Sequence, residues 1–201
     1  VVWCTKAING GNSHAMFNLA ISYANGKFGL TQSITKANEL YALAAEKGYA
    51  VARFNLGCSY EHGNGLEIDF NRCVELWEQS AKQGHISAQF NLSCMYRSGS
   101  QDNENGNPMT IPKNLPLHFK WALAAAKQNH MRGQVFTAQC YEEGWGVEPN
   151  LASAFEWYMK AAEQEDSIAQ RCLGQFFEYG KGRNIDLTQA LFWYQKAEAQ
   201  G

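Results

Sequence analysis

Small and apolar residues return at helical spacing five times along this chain. Each copy of the pattern opens with an alanine or a glycine, which we call its starting residue. Four places after the starting residue stands a residue that is almost always leucine. A small residue follows five places after the starting residue, and an aromatic residue eight places after it. Spacings of zero, four and eight lie on one stripe of an α-helix. A glycine eleven places on predicts a helix end in the left-handed conformation. The starting residues are Ala15, Ala52, Ala88, Gly133 and Ala169.

A second helix follows in each unit, and its beginning is marked by residues that cap helices. Their side-chain oxygens accept a hydrogen bond from an otherwise unpaired amide. Large aromatic residues and then alanines follow each cap, and a glycine closes most of these helices. Since such a helix pair cannot bury its apolar face alone, the pairs are predicted to stack in a row. The caps are Ser33, Asp69, Asn114, Asn150 and Asp186, and the aromatics are Trp3, Tyr41, Trp77, Trp121, Trp157 and Trp193.

Three runs of residues resemble the Sel1-like repeats, which are related to the tetratricopeptide repeats. They are Ala-Gln-Phe-Asn-Leu-Ser-Cys-Met-Tyr at 88–96, Gly-Trp-Gly-Val-Glu-Pro-Asn at 144–150 and Ala-Phe-Glu-Trp-Tyr-Met-Lys-Ala-Ala at 154–162. The resemblance implies an all-α, right-handed α-solenoid of antiparallel helix pairs. It also implies an adaptor-like role without a common active site. Thr137 departs from the leucine of the pattern, and the third repeat lacks the second loop glycine.

The predicted organisation is a single array with one leading half unit. The half unit covers residues 1–11, and the repeats lie at about 12–48, 49–84, 85–129, 130–165 and 166–201. Because the sequence opens inside the second helix of an earlier unit, we expect it to be a piece of a longer polypeptide. The third repeat carries an insertion within Ser98–Asn114, which predicts a surface loop that either contacts a partner or has no role in binding.

Composition narrows the classes of function. With a formal net charge of −2 and 18% charged residues, the chain lacks the basic stripe that a nucleic-acid binder needs. No run approaches the roughly 20 apolar residues of a membrane span, so membrane insertion is not expected. The six cysteines form no CxxC pair, which predicts buried thiols and no metal site, although a Cys58–Cys73 bridge stays open. Reduced thiols favour the cytoplasm, while a periplasmic or secreted location stays open because the native N-terminus is not visible.

No constellation of catalytic residues is present in the sequence. The five histidines form no ligand pair at helical spacing, and His14, His85 and His130 are expected in solvated turns between units. The paired loop glycines lack the strand that a nucleotide-binding loop follows. The chain is therefore predicted not to be an enzyme and to need no cofactor and no metal.

Binding is predicted on the concave inner wall that such an array would form. Three places after the starting residue stand Asn18, Asn55 and Asn91, whose amides could bond a peptide backbone in a ladder. Alternatively, these asparagines bond neighbouring helix ends. His62 and Arg97 are expected to assist. The later units place more carboxylates on this wall, so a basic or mixed peptide would suit the later half of the array.

Trp145 lies in a tight turn between two glycines. Two roles are open: an exposed anchor for a partner, or a cover over helix ends. The predicted function is a non-enzymatic scaffold or adaptor that binds a peptide or partner domain, with its oligomeric state undetermined. The alternative is a bacterial immunity or regulatory protein that occludes a partner enzyme such as a toxin, or a secreted host-interaction factor.

Overall fold

The computed structural model describes residues 11–99 and 111–200, and in this part of the chain it contains ten α-helices and no strand. The leading residues of the predicted half unit and most of the predicted insertion lie outside the described residues. The helices are α1 Ser13–Asn25, α2 Ile34–Glu46, α3 Ala50–His62, α4 Phe70–Lys82, α5 Ile86–Ser98, α6 Leu115–Lys127, α7 Met131–Glu143, α8 Leu151–Glu163, α9 Ser167–Tyr179 and α10 Leu187–Glu198.

Consecutive helices pack against one another in chain order. The pairs α1–α2, α3–α4, α7–α8 and α9–α10 form the hairpins of single repeats, while α2–α3, α6–α7 and α8–α9 join successive repeats. This arrangement confirms the predicted all-α solenoid of antiparallel helix pairs. The chain forms two compact units. The first holds α1–α4 and α5 as far as Leu92, and the second holds Ser93–Ser98 of α5 and α6–α10.

The structure confirms the predicted caps at the beginnings of the second helices and the predicted glycines at the ends of first helices. All five predicted caps accept a hydrogen bond from an amide three residues on; Asp69 Oδ1 lies 2.8 Å from the Arg72 nitrogen. At the other end, Gly26, Gly63 and Gly144 adopt left-handed φ angles of 62°, 69° and 73°. A side chain there would be strained, so the recurring loop glycines follow from backbone geometry.

The small residue of the first helix in the second repeat is explained by the aromatic residue that crosses it. A Cβ atom placed on Gly57 would lie 2.6 Å from Cδ1 of Trp77. Trp77 cannot easily move away, because it is buried and its Nε1 donates to the Phe54 carbonyl at 3.1 Å. Glycine at this position therefore allows the two helices of the repeat to approach closely.

The recurring aromatic residues of the second helices do not all stand at the same distance from their caps. Trp77 stands eight places after its cap, whereas Trp157 stands seven places after Asn150. In the fourth repeat Tyr158 occupies the buried position, and Trp157 is half-buried with Lys160 Nζ 4.1 Å from its ring centroid. A step of one residue turns a helix by about 100°, so Tyr158 and Trp157 face different sides of α8. Trp121 and Trp193 also stand seven places after their caps and are buried, so the distance from the cap does not decide burial.

Two histidines expected in solvated turns act instead as helix caps. Nδ1 of His85 accepts from the Ala88 amide at 3.2 Å, and Nδ1 of His130 accepts from the Gly133 amide at 3.1 Å. Both side chains are half-buried, and burial lowers the pKa of both imidazoles. A lowered pKa keeps the ring neutral and leaves Nδ1 able to accept.

Candidate functional site

The three predicted asparagines lie on successive first helices, α1, α3 and α5, all within the first unit. Asn18 is exposed, and Asn55 and Asn91 are half-buried. Their side-chain amides form no hydrogen bond with any other residue in 11–99 or 111–200. The asparagines therefore do not bond helix ends within the described structure. We call these three residues the asparagine row.

A different asparagine performs the structural role that was the alternative for the row. Asn38 is buried; its Oδ1 accepts from Ser59 Oγ at 2.7 Å, and its Nδ2 donates to the Asn64 carbonyl at 2.7 Å. These bonds tie the second helix of the first repeat to the first helix and loop of the next. Asn38, and not a member of the asparagine row, therefore holds this junction.

An open cleft of about 210 Å3 lies beside Asn55, lined also by Tyr41, Cys58 and Asn64. Burial raises the pKa of the Cys58 thiol to about 11, so this thiol is a poor nucleophile at neutral pH. The Tyr41 pKa is raised by burial as well. The cleft therefore offers neutral hydrogen-bonding groups rather than reactive ones, and its volume suits a side chain of a bound peptide.

A larger concavity of about 520 Å3 lies beside Asn18, where Ile21, Phe28 and Leu30 supply an apolar lining. Phe28 is exposed, and its φ of 58° places an aromatic residue in the left-handed region. Such a conformation is rare for a bulky side chain, and the residue lies in the turn between α1 and α2. Each of these two asparagines thus borders a concave surface.

His62 lies at the last position of α3, with its side chain exposed. Its Nδ1 is 3.0 Å from the Cys58 carbonyl and 3.2 Å from Glu61 Oε2. Burial raises the pKa of the Glu61 carboxyl, and the charge of His62 opposes that rise. His62 is thus accessible to a partner and borders a half-buried acid.

Arg97 and Trp145 are brought together in the second unit. The Arg97 guanidinium carbon lies 4.8 Å from the Phe136 ring centroid and 5.2 Å from that of Trp145. Trp145 is half-buried, and its ring also lies near that of His118, with centroids 6.5 Å apart. Trp145 thus packs against side chains of the second unit, and the two roles predicted for it, an exposed anchor and a cover over helix ends, stay predictions.

A contact between repeats recurs at equivalent positions and was not predicted. The residue nine places after a starting residue meets the one twelve places after the next starting residue. This contact stacks Arg97 on Trp145 and pairs Glu142 with Lys181, whose Nζ lies 2.6 Å from Oε1. Tyr158 donates to Glu142 Oε2 at 2.8 Å. The negative charge of Glu142 is therefore balanced by the positive charge of Lys181 within the fold.

A buried serine–histidine pair lies in the second unit, but no substrate could reach it. Nδ1 of His118 is 2.9 Å from the Ser93 carbonyl and 2.8 Å from Ser93 Oγ. Both side chains are fully buried, and burial lowers the His118 pKa. Nucleophilic catalysis needs an accessible hydroxyl, so this pair packs the interior of the third repeat.

No group of three or more His, Cys, Asp or Glu residues is arranged to hold a metal ion in the described part of the chain. Cys58 and Cys73 are both free thiols, so the bridge left open by the sequence does not form. Within residues 11–99 and 111–200, no helix has the length and apolar character needed to cross a bilayer.

Solved structures of other proteins share this architecture. A Sel1 repeat protein from Oxalobacter formigenes superposes with a TM-score of 0.83 and 28% sequence identity, over 96% of this chain and 75% of its own. A protective antigen of uropathogenic Escherichia coli with an SLR fold superposes with a TM-score of 0.54 and 28% identity, over 98% of this chain and 48% of its own.

Curated relatives are similar over shorter stretches. Chitin synthase regulatory factor 3 of Schizosaccharomyces pombe is 32% identical over 60 residues, which is 30% of this chain and 6% of that protein. The ERAD-associated E3 ubiquitin-protein ligase component HRD3B of Arabidopsis thaliana is 36% identical over 66 residues, 33% of this chain and 11% of that protein. The chain thus spans a small part of the length of either relative.

The model of the Sel1 repeat matches the chain five times in succession, at residues 13–49, 50–85, 86–130, 132–166 and 167–201. These matches follow the helix pairs described above and cover most of the sequence. Sel1 repeats generally mediate contacts between proteins. With its capped helix pairs, its loop glycines and five successive matches, the chain belongs to the Sel1 repeat family.

Proposed function

We propose that the chain is a non-enzymatic protein-interaction module whose asparagine row holds an extended segment of a partner protein. The observation that supports this proposal is that three amides at equivalent positions form no hydrogen bond with a described residue, and that two of them, those of Asn18 and Asn55, border open concavities. An amide both donates and accepts, as a peptide backbone does. A ladder of such groups suits a partner in extended conformation.

We propose that His62 assists the asparagine row within the first unit, and that Arg97 is a separate partner contact within the second unit. His62 lies in the same unit as the asparagine row, and its imidazole is exposed. Arg97 is positioned by stacking on Phe136 and Trp145, and its guanidinium forms no ion pair with a carboxylate of the described chain. A stacked guanidinium has already lost part of its rotamer freedom, so it binds a partner carboxylate or carbonyl at a lower entropic cost.

The test begins with selection of 12-residue peptides on the immobilised chain by phage display. The affinity of the best peptide is then measured by fluorescence anisotropy for the wild type and for Asn55→Ala/Asn91→Ala. Each of the two lost amides removes one or two hydrogen bonds worth about 1 kcal/mol apiece, which is about 2–4 kcal/mol in total, so we expect binding to weaken about 30- to 700-fold. The melting temperature should stay the same or rise slightly, because alanine favours helix.

The control is Asn71→Ala, which removes an exposed asparagine from α4. This variant should bind the peptide as the wild type does. Equal affinity of the wild type and the Asn55→Ala/Asn91→Ala variant would refute the role of the asparagine row.

A further inference from the structure

The buried tyrosine of the first repeat stands at the same position as a buried tyrosine of the fourth. Tyr41 and Tyr158 both come eight places after the cap of their helix. Tyr158 donates to Glu142 Oε2 at 2.8 Å. Tyr41 has only 8% of its surface exposed, yet its hydroxyl forms no hydrogen bond with another residue in 11–99 or 111–200. Tyr41 is therefore a donor of the same kind without an acceptor.

Two differences in sequence account for the missing acceptor. Glu142 stands nine places after the starting residue of its repeat, and the first repeat has Ala24 at that position. The cation that binds Glu142 is replaced as well, because Asn64 stands in the second repeat where Lys181 stands in the fifth. The junction of the first two repeats thus lacks both charges of the ion pair that joins the last two.

The open cleft beside Asn55 lies where these two charged side chains would be. Ala24, Tyr41 and Asn64 all belong to its lining, and its volume is about 210 Å3. Helices α1, α2 and α3 each contribute to this lining. The cleft, here called the Asn55 cleft, is therefore a feature of the junction between two successive repeats within the first unit.

The electrostatics of the Asn55 cleft favour a neutral ligand. None of the described residues that line the cleft carries an ionised side chain, since burial raises the pKa of the Cys58 thiol to about 11. The charge of Glu61 adds to that rise, so a negative charge already lies near the cleft. An anion that entered would lose its water and gain no cation, which is costly.

The hydrogen-bonding groups of the cleft match a primary carboxamide. The Asn55 amide, free of bonds to other described residues, offers one donor group and one acceptor, and the Tyr41 hydroxyl offers another donor. A carboxylate would leave the Asn55 oxygen without a donor, and an ammonium would leave both donors without an acceptor. A carboxamide oxygen accepts from both donors, while its amino group donates to the Asn55 oxygen.

We propose that the Asn55 cleft binds the side-chain carboxamide of a glutamine in the partner segment. The glutamine oxygen accepts from the Tyr41 hydroxyl, and its amide pairs with the Asn55 amide. Glutamine has the length of glutamate, which is the residue that binds the equivalent tyrosine of the fourth repeat. This inference rests on the proposed function and adds to it the identity of one residue of the partner.

The test uses the peptides that phage display selects on the wild-type chain. We expect them to share a glutamine at one fixed position. Replacing this glutamine by glutamate, lysine or leucine should each weaken binding about tenfold in fluorescence anisotropy, because each leaves polar groups of the cleft unpaired. Tyr41→Phe removes only the hydroxyl, so it should weaken binding of the glutamine peptide about five- to tenfold and leave that of the leucine peptide unchanged.

Two further variants test the comparison between repeats. Ala24→Glu places a carboxylate where Glu142 has one, so it should fill the cleft and weaken binding of the glutamine peptide about tenfold. Asn64→Lys supplies the cation at the position of Lys181, so it should shift the preference about tenfold towards the glutamate peptide. Tyr23→Phe, at a half-buried tyrosine of the same unit outside the cleft, is the control and should bind as the wild type does.

Two sets of results separate this inference from the proposed function. Selected peptides that share no glutamine, or that bind equally well with glutamine, glutamate and leucine, would overturn the inference. If their binding still depends on Asn55 and Asn91, the proposed function stands alone. A chain that selects no peptide, or that binds its peptides without the asparagine row, overturns both. Should Tyr41→Phe fail to fold, the comparison of peptides on the wild type and on Asn64→Lys decides.

Discussion

The ion pair between Glu142 and Lys181 should couple two successive repeats measurably. The pair joins the first helix of the fourth repeat to the loop of the fifth at 2.6 Å. The Glu142 side chain is 13% exposed and that of Lys181 is 35% exposed. The perturbation is a double-mutant cycle with Glu142→Gln and Lys181→Met, in which glutamine keeps an acceptor for Tyr158.

The expected coupling energy lies between two limits. Two unit charges about 4 Å apart attract by about 4 kcal/mol at an effective dielectric constant of 20, before desolvation is subtracted. Exposed pairs yield about 0.2–1 kcal/mol in such cycles, whereas removing one partner of a fully buried pair costs about 3–5 kcal/mol. Since Glu142 is nearly buried and Lys181 half-buried, we expect a coupling of about 1–3 kcal/mol.

The assay is urea unfolding followed by circular dichroism, with the denaturant slope compared among all four proteins. The control cycle uses Arg72 and Glu75, a pair of the same kind at 2.8 Å whose side chains are 50% and 60% exposed. That pair should couple by less than about 0.5 kcal/mol and lose its coupling in high salt. If Glu142 and Lys181 couple no more strongly than the control pair, the argument from burial is refuted.

Three further predictions concern stability. Since burial lowers the pKa of His85 and His130, the unfolded chain binds more protons below about pH 6.5, and the free energy of unfolding should fall as the pH is lowered to about 5. Replacing both histidines by asparagine, an acceptor that does not titrate, should make the free energy of unfolding, measured with urea, depend less on pH. An unchanged dependence on pH would contradict the role of the two histidines as helix caps. Glu165→Gly should raise the free energy of unfolding by about 0.5–1 kcal/mol, because φ is 67° at this position, and a lower melting temperature would contradict this. Gly57→Ala should cost about 1–3 kcal/mol through the clash with Trp77, despite the better helix propensity of alanine, and a gain in stability in the same assay would be the contrary result.

The sequence predicts those features of the fold that depend on local chemistry. The caps at Asp69 and Asn150 and the helix ends at Gly63 and Gly144 follow from neighbouring backbone groups, so residue type and spacing suffice. Trp157 and Tyr158 are adjacent aromatic residues, and residue type does not decide which of them is buried. Only the packing shows which of the two faces inward.

The features that join one repeat to the next could not be predicted in the same way. Glu142 and Lys181 are 39 residues apart, and their pairing depends on how far each helix pair is rotated against its neighbour. Whether Asn55 or Asn38 would hold the junction likewise depends on side-chain reach, because both are amides on facing helices. The repeat pattern therefore predicts which positions hold the three asparagines. That their side-chain amides form no hydrogen bond with another described residue is known only from the structure.

The most direct test of the account follows the side-chain amide resonances of the asparagine row while the selected peptide is added to the 15N-labelled chain. The account predicts that the amide signals of Asn18, Asn55 and Asn91 shift together and exchange more slowly with water, while that of Asn71 stays in place. Shifts confined to other surfaces, with the three signals unmoved at saturation, would contradict the claim that this row holds the partner.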